Sequence, residues 1–409
     1  MKKLVVIGGG AAGFFCAITA ARLNKNLQVV LLEKTAKLLS KVRVSGGGRC
    51  NVTHALFDNT ELSKRYPRGQ HFVKKLLYQF SPADTINWFA ERGVTLKTER
   101  DGRMFPVTDS SQTIVDCLMA EARKHQVAII QQTEVKQLSI ADATFRIIGT
   151  NGFTCNADFV CIACGGYPKT SMFDWLQNLG HAIAEPVPSL FTFNLPKHPI
   201  TALMGVSVPQ VKVKIEGSKL AEEGPVLITH WGLSGPAVLR LSAWGARELA
   251  VKNYIFKAHI HWVPAESEAS LKAFFQNARV QERTKKISNH AGFGLPNRLW
   301  HFLLESAGIS PDQRFADLPA KAENLLIKLL VDYVVDVQGK TTFKEEFVTA
   351  GGIQLSEVDA ATMMSKKVAN LFFAGEIVDV DGITGGFNFQ HAWASGFVAG
   401  TEISKRARV

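Results

Sequence analysis

At 409 residues the chain is long enough for two or three domains, each with its own core. Hydrophobic residues at 46% and charged residues at 20% exclude a disordered or fibrous chain, and no apolar run reaches the roughly 18 to 20 residues of a membrane helix. Basic side chains number 47 against 36 acidic, a net charge of +11 that fits nucleic acid or another polyanion as well as it fits a solvated basic surface.

In chain order, Lys3 to Ile7 reads as a short strand broken by Gly8-Gly9-Gly10, and Ala11 to Leu23 as an alanine-rich helix. Leu27 to Leu32 is the next strand and ends at Glu33. Strand, glycine turn, helix, strand and acid form the opening unit of a doubly wound α/β fold. Met1-Lys2-Lys3 and the apolar residues after it mimic a secretion signal, but cleavage near Ala20 would remove the glycine turn. The segment is therefore read as folded, in a cytoplasmic protein.

Lys41 to Asn51 is a glycine-rich loop. Ser81-Pro82-Ala83-Asp84 starts a helix that stops near Gly93, and Ser110 to His125 is another. Residues 127–163 alternate as in a small antiparallel sheet, closing on the apolar strand Phe159 to Ala163 before Gly165-Gly166. Composition changes near Pro186-Val187-Pro188. Residues 189–263 read mostly as strands, among them Gln210 to Glu216 and Asn253 to Trp262, and Ala265 to Gly308 shows helical periodicity. Leu371 to Ala374 is a strand and Phe389 to Ile403 a closing helix. The simplest organisation is one nucleotide-binding domain made from both ends of the chain, with an inserted second domain.

Gly8-x-Gly10-x-x-Gly13 carries the first chemistry. The first glycine permits the tight turn, the second lets backbone approach a pyrophosphate, and the third lets the helix pack on the strand. Glu33, twenty residues beyond Gly13, is placed to accept bonds from a ribose hydroxyl, which favours FAD or NAD over NADP. Lys41-Val-Arg-Val-Ser-Gly-Gly-Gly-Arg-Cys-Asn51 gathers small, basic and amide groups that suit a diphosphate or a flavin edge. Near the other end, Ala374-Gly375-Glu376 closes a strand, and Asp379, Asp381, Gly382, Gly385, Gly386, Phe387, Asn388 and Gln390 precede the last helix. A carboxylate there can bind ribityl hydroxyls, and the helix start would face the flavin pyrimidine edge.

Three of these segments together resemble the YhiN/BaiN (BaiN/RdsA) family of NAD(P)- and FAD-dependent oxidoreductases: the glycine fingerprint, Ser45 to Asn51, and Gly375 to Gln390. Thr229-His-Trp-Gly-Leu-Ser-Gly-Pro236 matches a fourth stretch. The resemblance implies a Rossmann-type FAD-binding domain, residues 1–187 and 346–409, interrupted by a β-barrel-like part, 188–264 and 331–345, and a helical part, 265–330. It implies that Gly8, Gly10, Gly13, Glu33, Lys41, Ser45, Arg49, Asn51, Glu376 and Gly386 surround FAD. The expected set is completed by Ala11, Ala12, Lys34, Gly46, Gly47, Cys50, Ala163, Gly165, Gly375, Asp381, Gly385, Phe387 and Asn388. The family is linked to reduction of conjugated C=C bonds, in bile-acid enones and in a uridine of large-subunit ribosomal RNA, and to an amine oxidase activity. The chain departs from the family pattern at His54, where asparagine is usual, and at Lys169 to Phe173.

Two residues are candidate proton donors. Cys50 has Arg49 beside it, which would lower its pKa, and His230 lies in the Thr-His-Trp-Gly turn. No second glycine fingerprint is present, so NADH or NADPH is expected to act as a transient reductant. The rival readings are an RNA-modifying flavoenzyme and a non-catalytic flavin module. The six cysteines show no disulfide framework or metal spacing, and Cys161-x-x-Cys164 reads as two buried strand cysteines. Gly232-Leu-Ser234-Gly lacks the frame of a serine hydrolase.

Overall fold

The structure, a computed structural model, describes residues 1–141, 144–290, 292–341 and 348–408. It divides into two units, Met1–Ser189 with Phe343–Val409, and Leu190–Thr342.

The first unit is built on a five-stranded parallel sheet in the order Leu371–Phe373, Phe159–Ile162, Lys3–Ile7, Gln28–Leu32, Ala128–Ile130. Its central strands are buried on both faces, and so they read as continuous apolar runs. The first helix, Ala11–Leu23, is buried from Ala12 to Ala21 on every side. One side meets the sheet, and another meets the closing helix, Phe387–Arg406. Gly396 and Gly400 of the closing helix make that packing possible: a Cβ on Gly396 would collide with the carbonyl of Ala12, and one on Gly400 would lie 2.5 Å from that of Cys16. Backbone therefore meets backbone along two turns.

Around this core sit three small antiparallel sheets. Val135–Ala141, Thr144–Gly149 and Thr154–Ala157 form one, and Thr53–His54, Arg103–Pro106 and Leu96–Thr98 another. Ile183–Ser189 pairs with Val348–Ile353 in the third. The helix at Pro82–Ala90 starts with a reciprocal Ser81–Asp84 capping box, as the sequence implies. The stretch 41–51 is less of a loop than expected: residues from Ser40 wind helically until Ser45–Gly47 break the helix.

The second unit carries a seven-stranded sheet, whose paired strands run antiparallel, with helices Glu268–Gln281, Asn297–Ser306 and Ala320–Val331. Its core is apolar, centred on Phe191, Phe193, Trp262, Leu299 and Trp300. Two further helices, Pro236–Trp244 and Ala246–Val251, interrupt the segment that reads mostly as strands. Their apolar residues carry no glycine or proline break after Pro236 until Gly245 divides the two, and burial of Val238 and Leu241 at helical spacing settles the conformation. Among the described residues no helix is long and apolar enough to cross a membrane, and no cluster of His, Cys, Asp and Glu could hold a metal ion.

Candidate functional site

The amino-terminal turn is shaped by what its glycines exclude. A Cβ on Gly8 would collide with the carbonyl of Ala163, and one on Gly13 with the carbonyl of Gly8. Gly10 differs: it caps the first helix without a side-chain bond, and nothing lies within 4 Å of where its Cβ would be. Two glycines close the turn, and the third opens it. The Glu33 carboxylate buttresses the turn, accepting from Gly9 N–H at 2.9 Å through one oxygen and from Thr35 N–H and Oγ at 2.9 Å through the other. Lys34 beside it is exposed.

The closing helix starts at Gly386, whose φ of 93° only glycine adopts easily and whose Cβ would lie 2.6 Å from the Thr53 carbonyl. The contacts of Gly396 with Ala12 and of Gly400 with Cys16 show that the two helices run in the same direction. In that register the closing helix begins about 12 Å before the first, at 1.5 Å per residue. Neither Gly10 nor Gly386 is supplemented by a side-chain cap. The first unit thus holds two open, positively polarised helix ends facing the same way.

Several side chains fix the second of these ends. Asn51 accepts from Gly386 N–H at 2.9 Å and donates to the Thr53 carbonyl at 3.1 Å. Asn388 accepts from Gly382 N–H at 2.8 Å and donates to its carbonyl at 2.9 Å. His54 bonds the Gly385 carbonyl through Nδ1 at 3.0 Å and stacks on Phe387 at 4.7 Å. Burial holds that imidazole below its ordinary pKa, so it donates as the neutral ring.

Gly375, φ 73°, is held from both sides by the closing helix. Its N–H donates to Ser395 Oγ at 2.8 Å, Ser395 donates to the His391 carbonyl at 2.6 Å, and His391 Nε2 donates to the Gly375 carbonyl at 3.3 Å. Burial pushes His391 down to about 4, which keeps it neutral. The next residue, Glu376, accepts from Lys41 Nζ at 2.5 Å and from Thr349 N–H at 2.8 Å. His391 and Ser395 belong to no motif; their signal in the sequence is the four-residue spacing, which puts both on one face of the helix.

In the stretch from Ser45 to Asn51, Gly46, Gly47 and Gly48 all have positive φ, and Gly47 and Gly48 are exposed, with nothing within 4 Å of where a Cβ would stand. Gly165, after the strand Phe159–Ile162, is equally open. Cys161 is buried on that strand against Cys16, whereas Cys164 lies beyond it, partly exposed, donating to Tyr167 Oη at 3.2 Å. All six cysteines are free.

Accessibility sorts the expected residues. Gly10, Ala11, Glu33, Lys34, Lys41, Ser45, Gly46, Gly47, Arg49, Gly165, Glu376, Gly386 and Asn388 reach the surface, and a ligand can touch them. Gly8, Ala12, Gly13, Asn51, Ala163, Gly375, Gly385 and Phe387 are buried and shape the frame.

Three expectations are corrected. Cys50 is fully buried at φ 62°, and desolvation pushes its thiol up to about 12, opposite to the expected lowering. Arg49 does not serve Cys50: it stacks over Phe105 at 4.0 Å and pairs with Glu99 at 2.6 Å. Asp381 is sealed at 0% exposure, its oxygens taken by a bidentate pair with Arg68 and by Ser189 Oγ at 2.7 Å, so it cannot meet ribityl hydroxyls. His230 lies in the second unit, exposed, its ring edge-on to Trp231 at 4.1 Å.

The family model of the HI0933-like protein Rossmann domain matches residues 2–402. The chain is 31% identical to the 3-dehydro-bile acid delta(4,6)-reductase of Clostridium scindens, over 99% of this chain and all of the relative. It is 32% identical to the ribosomal RNA dihydrouridine synthase of Escherichia coli, over 98% of this chain and 97% of the relative. Among solved structures, a 3-ketosteroid-delta4-(5alpha)-dehydrogenase of Rhodococcus jostii superposes with a TM-score of 0.51 at 14% identity, over 98% of this chain and 97% of that one. The open helix ends and the glycine turn fit the FAD-binding flavoprotein fold to which these neighbours point. Sequence, turn geometry and full-length similarity agree, and the chain belongs to the HI0933-like Rossmann family.

Proposed function

We propose that the chain is an FAD-dependent oxidoreductase that uses NADH or NADPH to reduce a C=C bond conjugated to a carbonyl. The observation that carries this reading is the pair of co-directional helix ends opened by Gly10 and Gly386. A dinucleotide with a pyrophosphate at one point and a redox-active ring further along suits that spacing. When bound, FAD supplies hydride chemistry at its N5. Gly10 and Ala11 would hold the pyrophosphate over the frame of Gly8, Ala12, Gly13 and Ala163. Glu33 would hold the adenosine ribose, with Lys34 and Gly165 beside it. Lys41, Ser45, Gly46, Gly47 and Glu376 would line the far part. Gly386 and Asn388 would bring the positive helix end to the ring, where it stabilises the negative charge of the reduced state.

The two curated relatives act on different molecules, but a 3-oxo-delta(4,6) bile acid and the 5,6 bond of uridine are both electron-poor alkenes beside a carbonyl. Each takes a hydride at one carbon and a proton at the other. Cys50 is excluded as the proton donor by its burial. A ribosomal RNA uridine is the second reading of the substrate, favoured by the net charge of +11. The free thiols fit a cytoplasmic protein.

The test is the visible spectrum of the purified protein, followed by anaerobic titration with NADH and NADPH. A yellow protein that bleaches, and is reoxidised by a conjugated enone or by uridine-containing RNA, is expected. Colourless protein that takes up no added FAD would overturn the cofactor reading, and failure of both nicotinamides to bleach the flavin would remove the reductant.

A further inference from the structure

Residues 62–83 contain no Asp or Glu, yet hold Lys64, Arg65, Arg68, His71, Lys74 and Lys75. The centre of this stretch is the helix Gln70–Leu77. Phe72, Val73, Leu76 and Leu77 are buried, while His71, Lys74, Lys75 and Tyr78, spaced i, i+3, i+4 and i+7, form the opposite stripe. Tyr78 stands 69% exposed. Among the described residues no carboxylate pairs with Arg65, Lys74 or Lys75, whereas Lys64 is paired with Glu61 and Arg68 with Asp381.

The stripe is fastened to the candidate site. A backbone bridge joins Arg68 to Asp381, Ile383 N–H donates to the Arg65 carbonyl at 3.0 Å, and Tyr66 Oη donates to the Phe387 carbonyl at 2.7 Å. Gly69, φ 81°, caps the basic helix where a Cβ would lie 2.6 Å from Val380 Cγ2. Residues 65–69 thus brace the segment that leads into Gly385 and Gly386.

We propose that the face made by His71, Lys74, Lys75 and Tyr78 is a docking surface for single-stranded RNA, which it holds by phosphates and by one stacked base. This rests on the second substrate reading above and gives it a surface. Unpaired cations in a row track a phosphodiester chain, and an exposed tyrosine among them offers a stacking platform that any base can use. A lipid surface fits less well, because a helix that lies on a membrane turns its apolar face to the lipid, and here that face is buried in the protein.

The experiment measures binding of a labelled twelve-nucleotide oligouridylate to the FAD-loaded protein by fluorescence anisotropy across a salt series. Lys74→Glu/Lys75→Glu is compared with Lys212→Glu/Lys214→Glu, a reversal on the exposed sheet face of the second unit. Loss of two phosphate contacts should flatten the log–log salt slope by about 1.4, at about 0.7 per contact. Tyr78→Ala should weaken binding about tenfold with the slope unchanged. Flavin absorbance and bleaching by NAD(P)H should match the unsubstituted protein in every variant, which shows that they fold. The proposal is overturned if the unsubstituted protein does not bind the oligomer, if the Lys74→Glu/Lys75→Glu variant binds it equally well, or if the control loses as much. It is also overturned if the Lys74→Glu/Lys75→Glu variant loses binding only to phosphatidylglycerol vesicles. A protein that binds RNA through this face but is not bleached by NAD(P)H would sink the reductant reading and leave the surface standing.

Discussion

The two glycine-rich segments near the amino terminus look alike in sequence and do opposite things in the structure. In Gly8 to Gly13, two of the three fingerprint glycines are there because neighbouring backbone leaves no room for a Cβ. In Gly46 to Gly48, Gly47 and Gly48 have open space, and glycine serves only the positive φ. The first segment is a packing device and the second a conformational one. Substitutions should therefore fail differently in the two.

Gly13→Ala should be the most damaging change. Its methyl meets a carbonyl that cannot move without breaking the first turn, and the expected result is insoluble or colourless protein, read from flavin absorbance. If it purifies yellow, the packing account of the first segment is wrong. Gly375 combines both devices, with a positive φ and Ala12 close by, and its clamp titrates. Folding lowers the pKa of His391, so its contribution is complete above about pH 6.5 and is lost as pH falls toward about 4. The loss is on the order of 3 kcal/mol. His391→Gln should remove that share of the acid destabilisation, seen as a flatter melting temperature between pH 6.5 and 4.

Glu33→Gln weakens charge-assisted bonds that buttress the first turn, and the FAD dissociation constant should rise about tenfold, measured by flavin fluorescence. Gly47→Ala strains only the backbone, at about 1 kcal/mol, so a melting point lower by a few degrees with FAD retained is expected. A loss of flavin as complete as in Gly13→Ala would erase the distinction between the segments. Cys50→Ala should leave turnover unchanged, since the thiol is sealed from any ligand.

Much of the first unit was legible because its signals are local. The turn, the first helix and Glu33 lie within 33 residues, and the apolar strands announce a sheet covered on both faces. What was illegible depends on distant partners. Asp381 reads as a ribityl carboxylate because nothing nearby neutralises it; its partner Arg68 lies 313 residues away. Cys50 follows a run of glycines that suggests exposure, but its own φ of 62° accompanies a buried side chain. The helices at Pro236–Trp244 and Ala246–Val251 sit in an apolar stretch whose short segments suit strand or helix alike.

The meeting of Ala12 with Gly396 has a consequence for how the molecule is made. The first helix is apolar on every side, and the partner that covers one of those sides, Phe387–Arg406, is synthesised hundreds of residues later. Until then the nascent amino-terminal half carries a sticky, incomplete layer and lacks its edge strand Leu371–Phe373. Chaperone demand should persist until Phe387–Arg406 has emerged, and a chain that stops before this helix should aggregate rather than survive as a shortened flavoprotein.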